Sequence, residues 1–480
     1  MTSSRLTSYR TRFGIHLDLA HVALLVSPEM RKLALMVKIV YTSVHWSQRR
    51  KKPHVFHVRD RMTAHRARGG ELVGESFMET YLLEWANLLL RWVHVITAIA
   101  WIGSSFYFVF LDNNLQKPNS PDLLEKGVGG AMWAVHGGGF YNPQKYMVAP
   151  KKIHTKLHWF YWESYSTWLS GFALFTVLYL YNAGTFLIDK SLMDWTPVVA
   201  GSAAVGFLAA FWIVYDVVCR AFGFRKNGEL IVAGLMIVVI AFASWLANQL
   251  FAGRAAFLLV GAMIATSMSA NVFFWIIPGQ RKVVAAMTSG EAYDANALAI
   301  HGKRGKQRSV HNTYFTLPVI FAMLSNHYSF LYTHEHRWML LFVMMFAGAL
   351  IRQFFVQRHA FHLGRAANPW PFAVVGVVLI AGVIVALKPA APVVSAAPAA
   401  PVAFAQVKTV LEQRCYMCHG EAAQMKNVRL DSPELVKQHA QNVYQQVVVT
   451  KQMPMNNATG ITDEERALIG RWFQAGAKVD

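Results

Sequence analysis

The residues best suited to chemistry lie near the end of the chain, in Cys415-Tyr416-Met417-Cys418-His419. Two thiols separated by two residues and followed by an imidazole are what covalent attachment of a c-type haem requires, because each Cys adds to one vinyl group and the His ligates the iron. A zinc site is the alternative, but it needs a second pair of thiols, and the only other cysteine is Cys219. The spacing predicts one covalent haem c.

The surrounding segments are typical of a small haem-binding domain. Residues 404–414 have the pattern of an amphipathic attachment helix, and residues 462–473 open with a capping box and present one apolar face. Between them, Met453 lies on a loop ordered by proline, where a thioether is the usual second iron ligand of electron-carrying cytochromes. Met455 is the alternative. The pattern predicts a monohaem cytochrome c domain over residues 403–480, with Met453 as sixth ligand.

The composition as a whole is that of a membrane protein. With 480 residues, 54% of them hydrophobic, the chain is too apolar for a soluble protein and too long for one domain. Its formal net charge of +20 could suggest nucleic acid as a partner. The Lys and Arg residues, however, cluster between apolar runs without a recognition motif, so we assign them to membrane topology.

Eight apolar runs have the roughly 20-residue length that crosses a bilayer as a helix. They cover approximately residues 83–110, 162–183, 197–218, 229–250, 255–277, 314–333, 337–357 and 371–388. Basic and nearly uncharged connections alternate, and the positive-inside rule then places both ends of the unit outside. The predicted fold class is all-α: an eight-span bundle in a bacterial inner membrane, followed by a periplasmic cytochrome c domain.

The chain divides into four predicted segments. Residues 1–77 are a basic leader that we expect to be disordered or loosely helical, and a start of translation at Met78 is the simpler hypothesis. Residues 78–388 form the membrane domain. Residues 389–402 are a Pro/Ala linker of the semi-rigid kind, and residues 403–480 are the cytochrome c domain.

Histidines inside the apolar runs are further candidates, because ionisable groups at membrane depth are costly and mark functional sites. His94 lies well inside the first run, and the small residues around Gly103 would let a flat ring approach. Two interpretations stay open. Either His94 ligates a haem b, with His327 as its partner in the outer half, or it is a hydrogen-bonded structural or proton-relay group.

The first basic loop is long, rich in glycine and aromatic residues, and followed by His154, Lys156 and His158. On a helix, His154 and His158 would share one face, which suits a metal or polarisation of a substrate. The alternative is a set of interfacial residues at the entrance of a span. His311 opens the sixth run on the same predicted side of the membrane.

From about residue 78 to its end, the chain resembles the bacterial integral-membrane, cytochrome-c-containing urate oxidase (urate hydroxylase) family. The resemblance is carried by residues 84–108, by Gly-Gly-Gly-Phe-Tyr at 137–141, and by residues 158–160, 312–318 and 325–328. It implies oxidation of urate to 5-hydroxyisourate in purine degradation. Electrons would leave through haem c to a downstream cytochrome c or terminal oxidase.

Urate is a planar monoanion at neutral pH, so its site needs cations, hydrogen-bond donors and an aromatic face. Lys156, His158 and His311 are the predicted catalytic residues. A cytoplasmic site and a periplasmic haem c lie roughly 30 Å apart, one bilayer, so we expect either a haem b bridge at His94 or substrate entry from outside or at mid-depth. The competing hypothesis is an electron-transfer subunit whose bundle handles a quinol.

Overall fold

The computed structural model describes residues 64–479 apart from short internal gaps. The gaps are residues 147–149, 151–152, 155, 290–291, 293, 389–401, 422 and 426–427. Most of the predicted leader and nearly all of the predicted linker therefore lie outside the described residues. The chain divides into two compact units, residues 1–78 and residues 79–480. Of the first unit, only residues 64–78 are described, and they form the start of a long helix.

The chain is mostly helical, as the sequence predicts. Up to residue 386 the helices are α1 (Ala64–Asn114), α2 (Pro121–Glu125), α3 (Trp162–Phe175), α4 (Ala183–Phe186), α5 (Pro197–Phe222), α6 (Gly228–Leu250), α7 (Gly253–Ala270), α8 (Ile277–Thr288), α9 (Ala295–Leu324), α10 (Ser329–Tyr332), α11 (Arg337–His362) and α12 (Trp370–Ala386). A π-helical segment, Thr176–Leu180, continues α3, and another, Asn271–Ile276, joins α7 to α8.

Several helices have the length and composition of membrane spans. Among the described residues, five segments meet both criteria: Tyr81–Asn114, Pro197–Phe222, Gly228–Leu250, Gly253–Thr288 and Arg337–His362. The other three predicted runs lie on or overlap α3, α9 and α12, and α12 is an apolar helix of shorter length. The count of eight spans stays a prediction.

The sixth run differs most from its predicted bounds of 314–333. Helix α9 begins after Asp294, whose carboxylate accepts the backbone N–H groups of Asn296 and Ala297, and it ends at Leu324. The basic segment before residue 314 is therefore helical, because this N-cap starts a helix that the apolar residues then continue. As a consequence, His311 lies within the helix instead of at its opening.

The first basic loop departs from the all-α prediction because it forms two antiparallel strand pairs. β1 (Val128–Ala131) pairs with β4 (Gln144–Tyr146), and between them β2 (Ala134–His136) pairs with β3 (Gly139–Tyr141). The residues that join β2 to β3 are Gly137 and Gly138, with φ of 57° and 80°. Both values favour glycine, and a two-residue turn of this kind matches the twist of a hairpin.

The segment of residues 402–479, which we call the C-terminal domain, has its own apolar core. Its elements are α13 (Phe404–Arg414), α14 (Tyr416–His419), β5 (Ala423–Gln424), α15 (Pro433–Val443), a π-helical segment (Tyr444–Val449), a 3-10 turn (Met455–Asn457) and α16 (Asp463–Gln474). The predicted capping box is present, since Thr462 accepts from the Glu465 N–H while the Glu465 carboxylate accepts from the Thr462 N–H. Val407 and Leu411 of α13 pack with Ile469 and Trp472 of α16 in this core.

Candidate functional site

The Cys-x-x-Cys-His motif lies where α13 ends. Cys415 is buried in the core of the domain, and Cys418 and His419 follow on the short helix α14. The Nδ1 atom of His419 lies 3.1 Å from the carbonyl oxygen of Val428. Because a carbonyl can only accept, His419 donates its Nδ1–H and keeps Nε2 free for a metal. Burial raises the pKa of the Cys415 thiol to about 12, which keeps it neutral.

The loop that carries Met453 is fixed by a buried arginine. Arg466 donates from Nη1 to the carbonyl oxygen of Met453, at 2.8 Å, and to that of Val447. The Met453 side chain packs against the same core as Cys415. The residues present therefore fit a haem c, with two thiols for its vinyl groups, an imidazole nitrogen left free by its hydrogen bond, and a thioether on an anchored loop.

His94 packs against the backbone of α3. Its Nδ1–H is shared between the carbonyl oxygen of Thr167, at 3.0 Å, and the hydroxyl of Ser170, at 3.2 Å. A Cβ added at Gly171 would lie 2.7 Å from His94 Cε1. The ring is thus a hydrogen-bonded link between α1 and α3, and its Nε2 is left as the atom for a ligand. His327 is exposed just beyond the end of α9.

We expect Gly171→Ala to destabilise the protein by about 1–3 kcal/mol, because the new methyl group must displace the His94 ring or separate α1 from α3. Thermal unfolding of the detergent-solubilised protein measures this. Gly206→Ala in α5 is the matched control, since a Cβ there meets no atom within 4 Å. Equal stability of the two variants would contradict the packing of His94 on Gly171.

The histidines after the first loop do not lie on a helix. The described residues from 153 to 159 form no helix, so the predicted shared face of His154 and His158 is wrong. His154 Nδ1 accepts the backbone N–H of Lys156, and the exposed His158 ring contacts Phe160 edge-on at 4.6 Å. In the described part of the chain, neither Lys156 nor His158 is hydrogen-bonded to His311, and no group of three or more His, Cys, Asp and Glu side chains is placed to hold a metal ion.

His311 lies at the centre of a hydrogen-bonded chain that joins α5, α6 and α9. The Tyr215 hydroxyl accepts from Asn271 Nδ2 and donates to His311 Nδ1, both at 2.9 Å. His311 Nε2 donates to the Glu229 carboxylate at 3.1 Å, and Gln307 donates to the other oxygen of Glu229. Tyr215 is fully buried, whereas the Glu229 side chain is 60% exposed. This series of hydrogen-bonded side chains, which we call the His311 chain, can move a proton between the interior and the surface.

An ion cluster lies beside this chain. Buried Arg308 donates to Asp216 at 2.7 Å, Arg220 pairs with the other oxygen of Asp216, and Trp275 donates its indole N–H to the same carboxylate. A cavity of about 80 Å³ borders the cluster. Sequence reasoning missed Asp216 and Glu229, although an acidic residue within or at the start of an apolar run was the available signal.

A larger cavity, of about 220 Å³, lies between α1 and α11. Its lining combines aromatic rings with cations: Phe106, Val109, Phe110, Arg352, Phe355, Arg358 and His359. Sequence reasoning assigned none of these residues to a site. The available signal was Arg352 within the seventh run and Arg358 directly after it, without a nearby acidic residue.

Arg352 has an unused hydrogen-bond donor in this larger cavity. The residue is 5% exposed, and its guanidinium carbon lies 3.7 Å from the centroid of the Phe106 ring. Its Nε donates to the carbonyl oxygen of Thr313, but its Nη2 is buried without a partner, as is Nε of Arg358. Within the described residues no carboxylate pairs with either arginine. The cavity is therefore suited to a flat anion.

The larger cavity and the His311 chain lie beside the same helix, α9. Arg352 binds the backbone of α9 at Thr313, two residues after His311. Because Thr313 follows His311 by two residues, this hydrogen bond places Arg352 and the larger cavity close to the His311 chain.

Comparison with known proteins gives one finding. The model of the urate oxidase N-terminal family matches residues 80–388, which is more than half of the 480-residue chain. No curated protein and no solved structure matches. The matched range contains both cavities, His94 and the His311 chain, and it ends before the C-terminal domain. By this match over most of its length, the chain belongs to the urate oxidase N-terminal family.

Proposed function

We propose that this protein oxidises urate to 5-hydroxyisourate in a bacterial inner membrane and passes the electrons to a haem c in its periplasmic C-terminal domain. Family membership supports urate chemistry, and the long apolar helices support a membrane location. The observation that carries the proposal is the unpartnered Nη2 of Arg352 in an aromatic cavity of the family-matched region. A downstream cytochrome c or terminal oxidase then accepts the electrons from haem c.

The chemistry of urate matches the lining of the larger cavity. Arg352 offers a donor to an oxygen or nitrogen of the monoanion, and Arg358 supplies a second positive charge. The Phe106 and Phe110 rings provide apolar faces for a flat purine. A buried charge on a membrane helix is costly without a counter-ion, and a bound urate anion would remove that cost.

Oxidation of urate to 5-hydroxyisourate takes one oxygen from water and releases two electrons and two protons. His359 lines the cavity on the same helix as Arg352, so it is a candidate proton acceptor. Near the cavity, on α9, His311 can pass a proton to Glu229, whose side chain is exposed. When bound, a haem c supplies the capacity to accept the electrons one at a time.

The catalytic roles that the sequence predicts for Lys156 and His158 stay predictions. Both are exposed, and His158 is linked through Phe160 to Phe108 of α1, the helix that supplies one wall of the cavity. In this position the two residues suit the path by which an anion approaches the cavity. They do not line the cavity itself.

We expect His311→Gln to lower kcat by about 10²-fold or more, because it removes a positioned proton carrier, and to leave KM for urate unchanged. The unchanged KM follows from the position of His311 outside the cavity lining. Steady-state urate oxidation by the purified variant measures both constants. His301→Gln, on the same helix and outside both cavities, is the matched control. A raised KM with normal kcat would contradict a role in proton transfer.

Urate-dependent reduction of haem c tests the function itself. Purified full-length protein is mixed with urate without oxygen, and the visible spectrum of the haem is followed. We expect the reduced spectrum to develop. If urate produces no change while dithionite reduces the haem, the proposal is wrong, and the quinol-handling alternative becomes the better one.

The haem b bridge at His94 and His327 is a separate part of the proposal. It is supported by the free Nε2 of His94 and by the position of His94 within a long apolar helix. A dithionite-minus-oxidised spectrum with a b-type as well as a c-type haem is the expected result. A spectrum of haem c alone would remove the bridge and favour substrate entry from outside or at mid-depth.

A further inference from the structure

The C-terminal domain touches the helical bundle through the loop that carries Met453. Gln452 donates from Nε2 to the hydroxyl of Ser329, the buried first residue of α10. The turn Met455–Asn457 lies next to α4. We call residues 452–457 the ligand loop, and α4 with α10 the docking surface.

The ligand loop is held from both sides. On the side of its own domain, buried Arg466 donates to the carbonyl oxygen of Met453 and to that of Val447. On the side of the bundle, the hydroxyl of Ser329 receives the Gln452 amide. Because one anchor binds the backbone of Met453 and the other binds the preceding residue, Gln452, the loop itself bridges the C-terminal domain and the bundle.

The docking surface is built on hydrogen-bonded parts of the bundle. The buried Tyr179 hydroxyl donates to Asn326 at 2.9 Å, and Asn326 lies three residues before Ser329. Tyr179 belongs to the π-helical segment that continues α3, the helix that holds His94 through Thr167 and Ser170. The docking surface is thus connected, through one continuous helical segment, to the membrane histidine predicted to bind a haem.

We propose that the docking surface holds the ligand loop so that electrons enter the cytochrome domain on its Met453 side while the domain stays attached. The proposal rests on the proposed function. It differs from a mechanism in which the Pro/Ala linker lets the domain swing away from the bundle to be reduced or oxidised. The soluble acceptor then binds another face of the domain, because the ligand loop is occupied.

Cross-linking tests the docking directly. Ser329→Cys and Gln452→Cys are introduced together with Cys219→Ala, and the two thiols are joined with a short bismaleimide. We expect a cross-linked chain, identified by peptide mass, whose haem c is reduced by urate at a rate within about twofold of the wild-type protein. Ser329→Cys with Lys408→Cys, on the exposed side of α13, is the matched control and should not cross-link.

Two results would overturn the docking: no cross-link at Ser329 and Gln452, or a cross-linked protein whose haem c is reduced by dithionite but no longer by urate. A milder variant, Gln452→Ala, loses one hydrogen bond and should slow urate-driven reduction by about 2- to 10-fold. A wild-type protein that urate cannot reduce would instead contradict the proposed function. Because cross-link formation is read by mass, the two failures are distinguishable.

Discussion

Replacing Arg352 by methionine is expected to lower kcat/KM for urate roughly 10- to 150-fold, with most of the change in KM. The range corresponds to the loss of about 1.5–3 kcal/mol, the usual contribution of a hydrogen bond to a charged group. Arg352 supplies an unpartnered donor to the cavity, and methionine keeps the apolar stem without the charge. Steady-state kinetics and binding of urate to the oxidised protein measure the effect.

The control for this variant comes from the same helix. Arg337 also lies in α11 and donates to a backbone carbonyl, that of Asn248, but it does not line the cavity. Arg337→Met should therefore cost stability without raising KM. Arg352→Lys keeps the charge but not the planar donor, so its KM should fall between those of the wild type and Arg352→Met. If a folded Arg352→Met variant had a normal KM for urate, urate would have to bind outside this cavity.

The helices at the C-terminal end of the chain could be predicted from sequence because their signals are local. The thiol spacing of Cys415 and Cys418, the capping box at Thr462 and the apolar stripe of α13 are each set by neighbours along the chain. The hydrogen bond from His419 to Val428 could not be predicted, because it depends on how the chain returns after the motif. Local patterns fix elements, whereas their contacts depend on packing.

The larger cavity could not be predicted because its two walls come from distant parts of the chain. Phe106 of α1 meets Arg352 of α11 only after the bundle has packed. The same holds for His311, whose partners Tyr215 and Glu229 lie on α5 and α6. Sequence analysis identified His311 by its type and by its place at the opening of the sixth run, but its hydrogen-bond partners come from tertiary structure.

The strands in the first loop could have been predicted from the sequence. Gly137 and Gly138 between Ala134–His136 and Gly139–Tyr141 are a recognisable two-residue hairpin turn. The interpretation of this stretch as an irregular loop gave too little weight to that signal. The predicted bounds of the sixth run were wrong for a different reason. The polar first half of α9 continues into an apolar second half without a break, so hydrophobicity alone does not mark where the helix begins.

Replacing both Cys415 and Cys418 by alanine is expected to abolish covalent haem attachment and, with it, urate-driven reduction of a c-type haem. After denaturing electrophoresis, haem staining should disappear from the variant, because no thioether bond remains to retain the group. Each single variant can still form one thioether bond, so weaker staining is expected there. Urate binding to the bundle should persist, since the cavity lies outside this domain.

The third cysteine provides the control. Cys219 is buried in α5, 3.7 Å from His311 Nδ1, and Cys219→Ala should leave haem staining unchanged. His419→Ala separates the two roles of the motif: both thiols remain, so the haem should stay covalently bound, while its spectrum changes through loss of an iron ligand. Haem that survives denaturation in the double variant, or none in the wild type, would contradict the assignment of Cys415 and Cys418. Because haem staining requires neither urate nor turnover, it tests the proposed electron acceptor, haem c, independently of the substrate cavity.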